Sequence, residues 1–332
     1  MSVDLIHPPP QLPPHRTLPL SQQAPRVLQT SPFGSLPWPL SLLTSNETQD
    51  TWTIHENLLL SCLRTGDIDS ARQCLDRLTQ RFGADNQRMM AFKGMYDAAI
   101  AKDNKELEAV LKRHEEALKE DPTNLPIRKQ RVTVLKSLSR PNDAIAALVE
   151  LLDFSPTDAE SWAELSDLYL SQKLYSQAIF ALEEVLLITP FAWNVHARMG
   201  ELLYVSATAA GSNVDGNLLR TLSESMRRFC RSIELCDNYL RGYYGLKLTT
   251  KRLLELLPAS PSKPSTAVAD PTFGDLAPPA VATVQRLHEL ATSKLAEIVR
   301  RSNAGEPGWD YERPEVIAAR ELLDRDVESV PK

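Results

Sequence analysis

Glycine and cysteine are both scarce in this chain, and each scarcity removes a class of chemistry. Only 12 of 332 residues are glycine. None falls in a G-x-x-x-x-G-K-[ST] or G-x-G-x-x-G pattern, so the backbone loops that cradle phosphates and dinucleotides are missing. The G-x-S-x-G turn and the H-E-x-x-H pair are missing too. The four cysteines (Cys62, Cys74, Cys230 and Cys236) include no C-x-x-C pair. They sit on helical faces and read as buried, reduced thiols, which suits the cytosol. The six histidines (His7, His15, His55, His114, His196 and His288) are scattered, none with another at i+3 or i+4, so no metal set is expected. No stretch approaches the roughly 18 uncharged apolar residues of a membrane span. The N-terminus shows no basic region followed by an apolar core, so no secretory signal is read, and Asn46-Glu47-Thr48 becomes a chance match to the glycosylation pattern. A formal charge of −6 gives no reason to expect nucleic acid as a partner. Carboxylate pairs such as Glu115-Glu116 and Glu183-Glu184 read as solvated helix faces. No cofactor and no catalytic residue is expected, and an enzyme is not indicated.

Proline, by contrast, is abundant and unevenly placed. Of 24 prolines, ten precede Leu42 and six lie between Pro258 and Pro279. Residues 1–45 therefore read as a disordered proline-rich arm, and 258–280 as a Pro/Ser/Ala-rich loop. Between them, 46–257 reads as a helical repeat domain, and 281–332 as a closing helix and tail.

Inside the repeat domain the prolines keep time. Pro122, Pro156 and Pro190 recur at one constant interval of about 34 residues, the length of one helical-hairpin repeat. After Pro156 come Trp162, Leu165, Tyr169, Ala178 and Leu182, close to the W-x2-L-G-x2-Y…A-x3-F…P signature, with Ser166 where glycine is usual. Trp162, Leu165, Leu168 and Tyr169 share one stripe of a first helix, and Ala178, Ile179, Leu182, Val185 and Leu186 line the second. The proline ends the cycle because it has no N–H to donate and disfavours a helical residue before it. If Trp162 is buried between helices, truncating it to alanine costs about 3–5 kcal/mol. One period earlier stand Val132, Leu135, Ala144, Leu148 and Leu151, with Arg128 and Arg131 in the slots of Trp162 and Leu165. The basic run Arg128-Lys129-Gln130-Arg131 reads as a solvated face. Further repeats fit Leu58 to Leu78, Phe92 to Ala117, and Met199 to Phe229. The last needs an insertion, which Ala209 to Asn217 supplies as a polar loop. The chain thus resembles the tetratricopeptide repeat (TPR) family. That resemblance implies an all-α TPR solenoid of about four to five helical hairpins, with a closing C-terminal helix and disordered proline-rich segments.

In TPR proteins the first helix of each hairpin lines a concave groove. The resemblance places Lys129, Gln130, Thr133 and Lys136 there, then Glu160, Ala163, Glu164 and Asp167, then Asn194, Ala197, Arg198 and Glu201. Co-chaperone TPR domains hold a terminal carboxylate with Lys, Arg and Asn. An acidic trio of Glu160, Glu164 and Asp167 repels such a tail. It reads either as a solvated face or as a docking surface for a basic or polar segment.

Three blocks carry a narrower resemblance: Asp158 to Tyr169 continuing through Tyr175 to Glu184, Leu125 to Arg131 with Asp143 to Leu148, and Phe229 to Leu246. They are similar to the second, TPR-containing subunit family of the endoplasmic reticulum (ER) membrane protein complex, over about residues 55–257. The resemblance implies a non-enzymatic scaffold on the cytosolic side of that membrane, peripheral to it. Its partners would be membrane-embedded subunits and a soluble partner subunit, and the complex would insert tail-anchored and multipass proteins. The alternative reading is a stand-alone cytosolic adaptor that binds a peptide in its groove.

Overall fold

Helix caps punctuate this chain. In the computed structural model, which describes residues 5–8, 14–30, 48–209, 216–257, 279–309 and 311–328, Thr48, Asp67, Asn86, Asp103, Asn124 and Asp158 each accept a backbone N–H at a helix start. Those amides have no partner inside their own helix, which is why a short polar side chain recurs there. Every regular element among the described residues is an α-helix, and the chain divides after Ser155 into two units.

The first unit holds α1 (Pro14–Ser21), α2 (Ala24–Thr30), α3 (Gln49–Thr65), α4 (Ile68–Phe82), α5 (Gln87–Ile100), α6 (Asn104–Glu120), α7 (Leu125–Ser137) and α8 (Pro141–Phe154). Helices α3/α4, α5/α6 and α7/α8 are the hairpins. Gly66, at φ 78°, adopts the left-handed conformation that ends α3 and lets the chain reverse. Leu58, Cys62, Ala71, Leu75 and Leu78 are buried, as the repeat spacing requires.

The proline-rich arm departs from expectation. Part of it, α1 and α2, is helical, and Leu20 of α1 and Ala24 and Leu28 of α2 are buried. Helix α1 packs on α3 and α2 on α4, while Arg77 donates to the carbonyl of Leu28. Pro14 and Pro25 fall in the first turn of their helices, where proline removes no hydrogen bond. Residues 1–4, 9–13 and 31–45 of the arm, and 258–278 of the proline-rich loop, lie outside the described residues.

The second unit holds α9 (Ala159–Ser171), α10 (Tyr175–Ile188), α11 (Trp193–Ala209), α12 (Gly216–Leu235), α13 (Leu240–Leu256), α14 (Val281–Asn303) and α15 (Arg313–Glu328). Leu165, Ala178 and Leu182 are buried, while Tyr169 is half-buried. Ser166, in the usual glycine slot, satisfies its buried hydroxyl by donating to the Ala178 carbonyl at 2.8 Å. Helices α9/α10 and α11/α12 are hairpins, and α13 packs on α14. One closing helix was expected; α15 adds a second, burying Val316, Ala319 and Leu322. Most of the inserted loop before α12, 210–215, lies outside the described residues.

The repeat prolines are exposed, and their carbonyls do the work of registration. Trp162 Nε1 donates to the Pro156 carbonyl at 2.8 Å. Arg128 Nε donates to Pro122 at 2.8 Å, and His196 Nε2 to Pro190 at 3.0 Å. Each donor follows its proline by six residues. The slot therefore accepts any planar side chain with an N–H at the right reach, and tryptophan is one of three solutions. Arg128 is accordingly no solvated cation: it is 5% exposed, lies 4.0 Å over the Phe154 ring and pairs with Glu150 at 2.8 Å.

Candidate partner-binding groove

The groove residues named from sequence fall into two sets, one in each unit. In the first unit, Thr133 and Lys136 are exposed and Lys129 is half-buried on α7. Gln130 is buried, contrary to its assignment as a groove residue. The reason is a second buried stripe, Ile127, Gln130 and Val134, because α7 packs on α5 and α6 as well as on its own partner α8.

In the second unit, Glu160 and Asp167 are exposed on α9 and Glu164 is half-buried. Their acidity is partly compensated. Arg198 donates to Asp167 Oδ1 at 2.9 Å and to Glu201 Oε2 at 2.7 Å. Burial alone would lower the Arg198 guanidinium pKa; the two carboxylates outweigh it and push it up.

Arg198 and Glu201 also border a cavity of about 440 Å³. Helix α11 brings Asn194, Ala197, Arg198, Glu201, Tyr204 and Val205 to it, successive turns of one face. From α13 come Arg241, Tyr244, Gly245 and Leu248, and Tyr239 precedes that helix. These are the first helices of two successive helix pairs. The floor is Phe229, reaching from α12 between them. Its ring fits only because two residues there lack side chains: a Cβ on Gly200 would lie 2.9 Å from it, and one on Gly245 2.1 Å. Arg241 is held at the rim by Glu315, with Nε to Oε1 at 2.7 Å. Burial raises the pKa of both Tyr204 and Tyr239, so their hydroxyls stay protonated.

The cavity is chemically legible: three tyrosines and an aliphatic wall around a phenylalanine floor, with arginines already matched by carboxylates. Such a lining is chemically suited to apolar or aromatic groups, with hydrogen bonding at the rim. Sequence reasoning found Asn194, Ala197, Arg198 and Glu201 but missed Tyr204, Tyr239, Arg241, Tyr244 and Leu248. The run Arg241-Gly-Tyr-Tyr-Gly-Leu246 was the available signal, since paired glycines mark a close approach.

Burial pushes the Cys62 and Cys74 thiols up to about 12 and Cys230 to about 11, which makes them poor nucleophiles. Among the described residues no cluster of three His, Cys, Asp or Glu is placed to hold a metal, and no helix is long and apolar enough to cross a membrane.

Hairpins of this length, with prolines one period apart at three of their boundaries and a small residue in the second helix, define a tetratricopeptide-repeat protein. A tetratricopeptide repeat model matches residues 135–199. The TPR repeat protein oca3 of Schizosaccharomyces pombe is 30% identical over 249 residues, covering 74% of this chain and 82% of that protein. The chain belongs to the TPR family. It also resembles ER membrane protein complex subunit 2: the Xenopus laevis protein 2-A is 28% identical over 201 residues, 60% of this chain and 63% of that relative's length. Among solved structures, a thermophilic TPR protein from Thermus thermophilus matches 57% of this chain and 99% of its own at 19% identity and a TM-score of 0.39.

Proposed function

We propose that this chain is a non-enzymatic scaffold subunit of an ER membrane protein complex. It sits peripherally on the cytosolic face, supporting insertion of tail-anchored and multipass proteins. The observation that carries the reading is its similarity to proteins named subunit 2 of that complex, from frog to yeast. The aromatic cavity between α11 and α13 suits the role, because a preformed pocket on rigid helices receives a partner segment without a large rearrangement. Its partners are membrane-embedded subunits and a soluble partner subunit. The candidate contact residues are Lys129, Thr133 and Lys136 in the first unit, and Glu160, Glu164, Asp167, Arg198 and Glu201 in the second.

The alternative is a stand-alone adaptor that binds a peptide segment in its groove; an acidic segment is disfavoured there, because Arg198 is already engaged by Asp167 and Glu201. Native gel migration of the tagged endogenous protein after gentle detergent extraction tests the scaffold. Migration with a large membrane complex, collapsing to a small species when membrane subunits are removed, supports it. Migration alone under both conditions overturns it in favour of the adaptor.

A further inference from the structure

Leu187, Phe191 and Phe180 are the three most exposed large apolar side chains among the described residues, at 76%, 69% and 54%. All three belong to one short stretch, α10 and the turn that follows it. Helix α10 buries Ala178, Ala181, Leu182 and Val185 as it packs on α9 and α11. On another face Gln177, Phe180, Glu184 and Leu187 recur at intervals of three, four and three, the spacing at which one helix packs along a second. Glu183 flanks that stripe. Glu183 and Glu184 are the only charged residues of α10, and residues 174–197 contain no Lys or Arg. Among the described residues neither carboxylate has an ion pair or a hydrogen-bonded side-chain partner, whereas Asp167 on α9 and Glu201 on α11 share Arg198. Phe180 is held edge-on against Trp162, so its ring is already placed. None of the stripe residues lines the aromatic cavity between α11 and α13.

We propose that this face of α10 docks an amphipathic helix of another protein, one whose apolar stripe is flanked by Lys or Arg. An exposed apolar stripe of this kind marks a contact surface, and charge decides among its occupants. A membrane surface would accept the phenylalanines and the leucine. Its anionic headgroups would repel Glu183 and Glu184, and no Lys or Arg accompanies them between 174 and 197. A second copy of this chain, meeting the stripe about its midpoint in a two-fold pairing, would set Glu183 and Glu184 of both copies opposite one another. A helix with cations beside its apolar stripe meets both demands. It covers Phe180 and Leu187 and supplies the two carboxylates with partners. Phe191, past the end of α10, extends the contact by a further turn. This surface is separate from the aromatic cavity and requires no membrane subunit.

The probes are two fluorescent synthetic helical peptides of about five turns with the same leucine stripe, one flanked by Lys and the other by Glu. Anisotropy follows their binding to four forms of the full chain. These are the wild type, Leu187→Asp, Glu183→Lys/Glu184→Lys, and Glu108→Lys/Glu115→Lys, an equal change of charge at exposed positions of α6. Wild type is expected to bind the Lys-flanked peptide and not the Glu-flanked one. Leu187→Asp and Glu183→Lys/Glu184→Lys should each weaken that binding about tenfold, and the second should gain the Glu-flanked peptide. The α6 variant should bind as wild type does, and circular dichroism checks that every variant stays folded. An equal loss in the α6 variant would mean that net charge alone attracts the peptide, and overturns the proposal. Unchanged binding by Leu187→Asp, or no saturable binding to wild type, overturns it as well. So does sedimentation of the chain alone as a dimer that Leu187→Asp disperses, or flotation with anionic vesicles that Leu187→Asp abolishes; these assign the face to a second copy or to lipid. Failure here would leave the scaffold reading untouched, and failure of the gel test would leave this one.

Discussion

Trp162 donates its indole N–H to the carbonyl of Pro156 at 2.8 Å, tying α9 to the turn that precedes it. The ring also meets Phe180 edge-on, with centroids 6.1 Å apart, and remains half-exposed. Its two contributions can be separated. Trp162→Phe keeps the ring contact and loses the donor, at about 1 kcal/mol. Trp162→Ala loses both, at about 2 kcal/mol, below the roughly 3–5 kcal/mol of a fully buried aromatic. Chemical denaturation midpoints of the two variants check the order. If the phenylalanine variant is as unstable as the alanine one, the hydrogen bond and not the ring sets the register.

Gly245 and Phe229 make the sharper stability test. A methyl group on Gly245 would have to occupy the space of the Phe229 ring, 2.1 Å away. Gly245→Ala is expected to destabilise by about 1–3 kcal/mol, despite alanine's better helix propensity. Phe229→Ala alone opens a cavity and costs about 3–5 kcal/mol. The double variant should cost less than the sum, since the added methyl then meets empty space. A double-mutant cycle measures the difference, and strict additivity would mean that the ring has another place to go.

The repeat frame was legible because it is imposed by chain geometry. Prolines 34 residues apart at three successive boundaries, Ala178 at a helix crossing and Leu165 and Leu182 on facing stripes leave few other folds. The site was only half legible. Arg198 and Glu201 follow from the repeat register, but Tyr239 and Tyr244 come from the next helix pair, beyond the inserted loop, where the regular count no longer applies. Arg128 was misread because charge predicts exposure in general, and here a proline carbonyl, the Phe154 ring and Glu150 together offset its desolvation. Helices α1 and α2 were hidden by their prolines, of which Pro14 and Pro25 sit in first turns and Pro19 inside α1, and by an apolar content of only three buried residues, Leu20, Ala24 and Leu28, split between the two.

His114 makes the fold sensitive to acid. Both ring nitrogens are buried without a hydrogen bond, and the ring lies against Gly94, where a Cβ would be 2.4 Å from Nε2. Burial, helped by Arg113 and opposed by Asp97, lowers its pKa from 6.5 to about 4. The unfolded chain therefore takes up a proton near pH 6.5 that the folded chain refuses until about pH 4. Stability contributed by the neutral ring is full above pH 6.5 and is lost as pH falls through that window, on the order of 2–3 kcal/mol. His55 and His196, also lowered chiefly by burial, add to the same trend. Denaturation curves at pH 7 and pH 4.5 should converge more in His114→Leu than in wild type. An unchanged pH slope would assign the acid sensitivity to other groups.

Tyr244 is the residue through which the cavity of the second unit can be tested in the cell. It is half-buried in the cavity wall on α13, with Leu248 one turn further along the same helix and Tyr204 coming from α11. A carboxylate there places an unpaired charge where an apolar side chain is expected to enter, and would disfavour the bound state by about 2 kcal/mol or more, roughly thirtyfold in affinity. Tyr244 also packs on the cluster that contains Phe229 and Leu246, so Tyr244→Phe, which keeps the ring and removes only the hydroxyl, serves as the stability control. Tyr244→Asp is therefore expected to shift the tagged protein from the large membrane complex to the small species on a native gel while the variant stays folded by circular dichroism, and Tyr244→Phe to migrate as wild type. Lys119→Asp, an exposed change on α6, serves as the control and should leave migration unaltered. If Tyr244→Asp still migrates with the complex, the assembly is held by another face, and the exposed residues of α7 and α9 become the next to substitute.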